Sequence, residues 1–312
     1  MSNQFKNRVF GCVIVKSINS NFNADFTHQP RTLPDGTVYA TDKALKYSVR
    51  NYLKKVHSSD KIFYFKSFSE EMQPRTLDET YENYFGKYPE TSGKDKDAQL
   101  RKSVAKNLLT CTDVRLFGGT YAGKTNLSFH GPVQVTHGVN RYPDNTIFSE
   151  QISSPFRNPG ENNKESTQTT LGSQSKLKEG HYVFHFSINP HNLDDLVGLS
   201  DGTPLQDSDI VKVKEGLSRG VTLYDSAAKS GSENELMLWV QLKEGSMLVL
   251  PSFVELVSVD KESRTIDLSK IAELLDRDNV IAAIDKIEVY YDPTVTKVTG
   301  IPAGANIHVI NQ

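Results

Sequence analysis

The run Arg8–Ile18 (RVFGCVIVKSI) is apolar at odd and even positions alike over most of its length. Successive side chains of a strand point to opposite faces, so a half-solvated strand alternates apolar with polar. A run that is apolar on both faces belongs to a central strand of a covered sheet. The chain must therefore supply layers above and below this strand. With 312 residues it has enough length to do so, as one large domain with insertions or as two domains.

The next element is a helix expected from about residue 41 to residue 57, with Thr41 as its cap. Leu45, Val49, Tyr52, Leu53 and Val56 form one line along it. Lys43, Lys46, Arg50 and Lys54 form another, roughly 120° away at 100° per residue. One face can pack on a sheet while its neighbour presents cations. The net charge of the whole chain is −2, so this cationic line is not a by-product of composition. It makes a polyanion such as RNA or DNA a plausible partner, against the blander reading of a solvated face.

Other features bound the class. Hydrophobic residues make up 37% and charged residues 24%, as in a globular protein, and a mean hydropathy of −0.47 points to long exposed loops. No run approaches the roughly 20 apolar residues of a membrane span, and Met1–Arg8 lacks the apolar core of a secretory signal. Cys12 and Cys111 lack metal-ligand spacing and read as reduced, buried thiols of a cytoplasmic protein.

Further along, residues 61–68 (KIFYFKSF) read as a strand and 69–96 as a polar insertion of little periodicity. A helix is expected at about 97–111, a strand at 127–137, a strand at 181–188 and a helix at 208–224. Strands near 235–243, 247–257 and 286–291 and a helix near 267–276 follow. Tyr142–Lys178 is rich in Ser, Thr, Asn, Gln and Pro and too long for an ordinary loop. The core order of strand, helix, two strands, helix, strand fits an α+β, ferredoxin-like arrangement.

Gly118–Thr125 satisfies GxxxxGK[ST], but a phosphate loop must open a helix. Here Gly131-Pro132 and strand-like alternation follow, so a Gly-rich turn with a basic tip fits better. His181 and His185, about 13 Å apart on a strand, cannot share a zinc ion. Asp25 could hold Mg²⁺ and activate a hydroxyl or water, or could simply form a turn. In Gly131–Tyr142, the residues Gln134, His137, Asn140 and Arg141 offer hydrogen-bonding and stacking groups suited to nucleic acid.

Asn23-Ala24-Asp25, Pro30-Arg31, Ala40–Leu53, Asp113–Gly119 and Gly131–Arg141 occur in that order. Together they resemble the backbone subunit of type I CRISPR surveillance complexes (Cascade), of the RAMP superfamily, and subtype I-B in particular. The resemblance covers about residues 8 to 243, and the C-terminal third adds little. It implies a modified RNA-recognition palm, a finger at 57–96 and a thumb hairpin at 142–178. It further implies copies stacked head to tail along a CRISPR guide RNA, other Cascade subunits capping its ends, and pairing of the guide with a target DNA strand. Asn23, Arg31, Thr41, Lys43, Lys46, Arg50, Gln134 and His137 match positions that would touch RNA phosphate and sugar. Related type III complexes carry a target-cleaving Asp near the place of Asp25. Type I backbone subunits are not nucleases, so the resemblance implies no enzymatic activity, no cofactor and no metal.

Overall fold

The structure is a computed structural model and describes residues 3–157 and 168–311. The first strand, β1 (Val9–Ser20), lies at the centre of the largest sheet, as its two apolar faces require. After β2 (Tyr39–Ala40) comes α1 (Asp42–Val56). Then follow α2 (Leu77–Phe85), α3 (Lys96–Leu108) and α4 (Thr112–Phe117). Four short strands follow: β3 (Gly118–Ala122), β4 (Asn126–His130), β5 (Val133–Val135) and β6 (Gly138–Asn140). A long pair, β7 (Ile147–Arg157) and β8 (Gln168–Ile188), precedes α5 (Asp194–Ser200), α6 (Asp207–Arg219) and β9 (Ser232–Leu242). The C-terminal region holds β10 (Ser258–Val259), β11 (Ile266–Asp267), α7 (Ser269–Leu275) and α8 (Asp278–Ile281). It ends with β12 (Ile284–Tyr291), β13 (Val298–Thr299) and β14 (Asn306–His308).

The main sheet runs β14-β12-β9-β1-β8-β6-β2, with β5 and β7 also paired to β8. β1 is antiparallel to both β8 and β9. Its alternation sorts two cores. Val9, Val13 and Val15 join Leu45, Val49 and Leu53 of α1 and Ile210, Val213 and Leu217 of α6. Phe10, Cys12 and Ile14 join Phe253, Ile271 and Leu275 on the opposite side. Each such side chain contributes about 1.5–3 kcal/mol on burial. Gly11 leaves room on the first side: a Cβ there would meet the Leu238 carbonyl at 2.2 Å and the Phe186 ring at 2.4 Å. Both cysteines are free and buried, and burial pushes the Cys12 thiol up to about 12.

Several expectations are corrected. Residues 61–68 form no strand, because the Phe63 and Tyr64 amides donate to the Asp113 carboxylate at 2.7 and 2.9 Å rather than to a neighbouring strand. The expected strand at 127–137 breaks into β4 and β5 around Gly131-Pro132. Residues 247–257 are irregular and end in a 3₁₀ turn at Val254–Leu256. The polar insertion contains α2, closed by a reciprocal cap between Thr76 and Glu79. Around it, Phe63, Tyr81, Val104, Leu108 and Tyr121 form a third apolar cluster. Of the polar stretch 142–178, residues 158–167 lie outside the described residues; the rest is largely the paired arms of β7 and β8.

His185 lies on β8 in the second core, with its ring against Phe253 at 5.2 Å and its Nδ1 accepting from the Phe253 amide at 3.3 Å. Burial pushes its pKa down from 6.5 to about 4, outweighing a backbone hydrogen bond at Gly11 that acts the other way. The folded protein thus binds fewer protons than the unfolded chain between these values. Stability is expected to fall as pH drops from 6.5 to about 4, by on the order of 2–3 kcal/mol from this group. Denaturation midpoints across that window, compared with His185→Gln, check it: the variant should show a shallower loss.

Candidate nucleic-acid interface

The loop between β1 and β2 folds back on itself through bridges pairing Ala24 with Pro30 and Thr32 with Val38. Asp25 makes its turn. One carboxylate oxygen accepts from the Thr27 amide and hydroxyl, both at 2.8 Å, and from the Gln29 amide at 3.0 Å. The Thr27 hydroxyl, foremost, holds the Asp25 carboxyl below its usual range. Asn23 then ties the loop to the helix: its side-chain oxygen accepts from the Thr41 amide and hydroxyl at 2.8 and 2.9 Å. Thr41 occupies the N-cap position of α1, as expected, but its hydroxyl is turned to Asn23 and accepts from no amide of the first helical turn.

Asp42, in the first turn of α1, gathers two lysines and a histidine. Lys46 lies 3.1 Å from its carboxylate, Lys43 3.7 Å and the His137 ring 3.8 Å. Burial pulls the Asp42 carboxyl upward, but Lys46, Lys43 and His137 outweigh it and leave its pKa below the ordinary value. His137 sits between β5 and β6, with its ring 5.4 Å from that of Tyr39. Two separate sequence motifs thus meet at the start of α1. Lys43 is 85% exposed and His137 53%, whereas Lys46 is 14% exposed and lies over the Phe117 ring.

The cationic line does not continue evenly. Arg50 is only 15% exposed; its Nε donates to the fully buried Asp113 at 3.1 Å and its guanidinium lies over Phe117. Lys54 points its amine at the Tyr84 hydroxyl, 3.4 Å away. Asn140 is buried and wholly used internally, donating to Asn145 and the Asp144 carbonyl and accepting from the Tyr142 and His181 amides. Arg141 bonds the Val257 carbonyl and Glu255. Gln134 donates to the Gly131 carbonyl at 2.8 Å, and Arg31 holds Asn23 and Tyr39 through its backbone. The structure brings Asn23, Thr41, Lys43, Lys46 and His137 together; Arg50 and Asn140 are engaged inside the fold, and Arg141 turns away to Val257 and Glu255.

Asp113 and Arg115 were missed as organisers, although both lie in the DVRLFGG motif. That motif meets the Gly131 segment backbone to backbone. Gly118 has φ of +67°, and a Cβ on it would fall 2.3 Å from the Gly131 nitrogen. The Gly118–Thr125 pattern is a β3–β4 hairpin rather than a strand-to-helix loop. Its Lys124 amide donates to Asp78 at 3.0 Å, and its amine lies over Tyr88. His181 and His185 are separate, as expected from a strand. His181 is buried, with Nδ1 2.5 Å from Glu235. Among the described residues no group of three or more His, Cys, Asp or Glu side chains is placed to hold a metal ion, and no helix is long and apolar enough to cross a membrane.

The whole architecture is shared with chains of known assemblies. A chain of a "CRISPR RNA-guided surveillance complex" aligns with a TM-score of 0.54 at 14% identity, covering 96% of this chain and 94% of that one. A chain of a "CRISPR RNA-guided surveillance complex, pre-nicking" aligns with a TM-score of 0.55 at 15% identity, covering 97% of this chain and 96% of that one. The class is therefore a mixed α/β protein with the fold of these surveillance-complex chains. The sequence matches the CRISPR-associated protein Cas7 family over residues 7–276, and the chain belongs to that family. No curated protein matches the sequence significantly.

Proposed function

We propose that the protein is a guide-RNA-binding backbone subunit of a type I surveillance complex, of the I-B kind, and performs no catalysis. The observation that carries this reading is the meeting of the α1 amino end with His137 on one exposed surface, in a Cas7-family chain. Lys43, Lys46 and His137 hold phosphate and sugar, which suits a protein that must accept any guide sequence. Asn23, Thr41 and Arg31 order the loop beside them, and Gln134 lines the adjoining strand. The β9-β1-β8-β6 order, with α1 and α6 on one face, is the frame of a split-βαβ palm. On this reading the cluster around Tyr81 belongs to the finger (57–96) and the β7–β8 pair to the thumb (142–178). Copies then associate head to tail along the guide, an open heterologous contact whose extent is set by RNA length and capping subunits. The assembled guide is presented to a target DNA strand.

Co-expression with a CRISPR array transcript, followed by size-exclusion chromatography, tests the reading. A large assembly carrying protected RNA of defined length supports it; a nucleic-acid-free monomer alongside the other subunits overturns it. The Asp25 carboxylate is committed to its turn. Asp25→Ala is accordingly expected to leave the RNA of the purified assembly equally intact with Mg²⁺. Transcript shortening by the wild type but not by the variant would instead make Asp25 a catalyst.

A further inference from the structure

Phe26 is 98% exposed, more than any other large apolar side chain among the described residues. Single exposed apolar residues are common and usually carry no meaning. Phe26 differs in how firmly it is presented. It occupies a turn closed by the His28 amide on the Asp25 carbonyl at 3.2 Å, with His28 at φ +65°. The Asp25 carboxylate braces the same turn from below. Asn21 donates to the His28 carbonyl and to the Ser175 carbonyl of β8, both at 3.2 Å. Asn23 fastens the other side to Thr41 at the start of α1. The loop therefore spans the crook between the α1 amino end and the β7–β8 arms. Phe26 lies three residues from Asn23, within about 11 Å of it along the chain.

We infer that Phe26 is a stacking platform for one unpaired base of the bound RNA. This rests on the RNA-binding reading proposed above and adds a base contact to its phosphate contacts. The turn's backbone is already fixed, so binding costs only the two side-chain torsions of Phe26. Aromatic–base stacking tolerates any base, because every base has a π-face. Lys43, 85% exposed, lies two residues beyond the Thr41 that Asn23 holds, so the phosphate side and the base side of one strand are served from a single loop-and-helix unit.

The probe is single-stranded RNA of mixed sequence carrying 2-aminopurine at successive positions, titrated with the full chain. Wild type is expected to quench the fluorophore at periodic positions. Phe26→Ala should bind roughly 5- to 100-fold more weakly and lose that quenching. Its salt dependence should stay at the wild-type slope, since stacking releases no counterions. Phe26→Trp should restore both affinity and quenching. Failure of wild type to bind RNA would defeat the underlying reading. Wild-type binding with unaltered affinity and quenching in Phe26→Ala would defeat the stacking role alone. Loss of RNA-free self-association in Phe26→Ala, with the quenching retained, would assign the ring to a protein contact and also overturn the inference.

Discussion

Replacing Arg115 with methionine is expected to lower the unfolding free energy by about 3–5 kcal/mol. Arg115 makes a two-pronged contact with Asp209, Nε and Nη2 donating to its two oxygens at 2.9 and 2.8 Å. Asp209 is fully buried, and its carboxylate also accepts from the Gln206 amide at the start of α6. Arg115 further donates to the Leu109 carbonyl and the Thr112 hydroxyl. Removing the guanidinium leaves a buried carboxylate without its counter-charge. α6 packs on α1, so the damage reaches the layer that carries the cationic surface. A second substitution, Asp209→Leu, removes the stranded charge. The double variant is therefore expected to be less destabilised than Arg115→Met alone. Denaturant midpoints at unchanged m-value check both statements. A double variant destabilised by the sum of the two single changes would show that the pair is not coupled.

This ion pair marks where the sequence stops being legible. DVRLFGG stands out as a motif, yet Asp113 acts on Arg50 and on the Phe63 and Tyr64 amides, and Arg115 acts on Asp209. These partners are far away in the chain, and no local pattern names them. The same cause explains Arg50. Periodicity places it correctly on the line with Lys43 and Lys46, but not under Phe117 and Asp113. KIFYFKSF has the composition of a strand, and a distant carboxylate takes its amides. β1, α1 and α6 were legible because their apolar periods reflect the layers they separate. Thr76-Leu-Asp-Glu79 was a legible signal that periodicity alone passes over: a capping box announcing α2 inside a polar stretch. His137 stands out in the sequence only as a candidate, and its place beside Asp42 is not legible there.

Reversing Lys43 and Lys46 together to glutamate is expected to weaken binding of single-stranded RNA by on the order of 10- to 100-fold at low salt, whatever its sequence. Arg50 is left out of this test, because losing it would strand the buried Asp113 and imitate weakened binding through reduced stability. Lys43 is almost free in solvent, so its reversal touches no packing. Lys46 pairs with Asp42 one turn earlier, and Lys46→Glu sets two carboxylates together there. The slope of log affinity against log salt should flatten by about 0.7 for each phosphate that is no longer neutralised. The gap between variant and wild type should accordingly narrow as salt rises. Asp42→Asn predicts the opposite sign. It releases Lys43, Lys46 and His137 from the carboxylate they share, and RNA binding should tighten a few-fold at neutral pH. Filter binding across a salt series, with thermal unfolding as the control for folding, measures all three proteins. Unchanged affinity in the double reversal would remove the α1 amino end from the RNA path. A loss confined to particular RNA sequences would instead mean that these lysines read bases rather than hold the backbone.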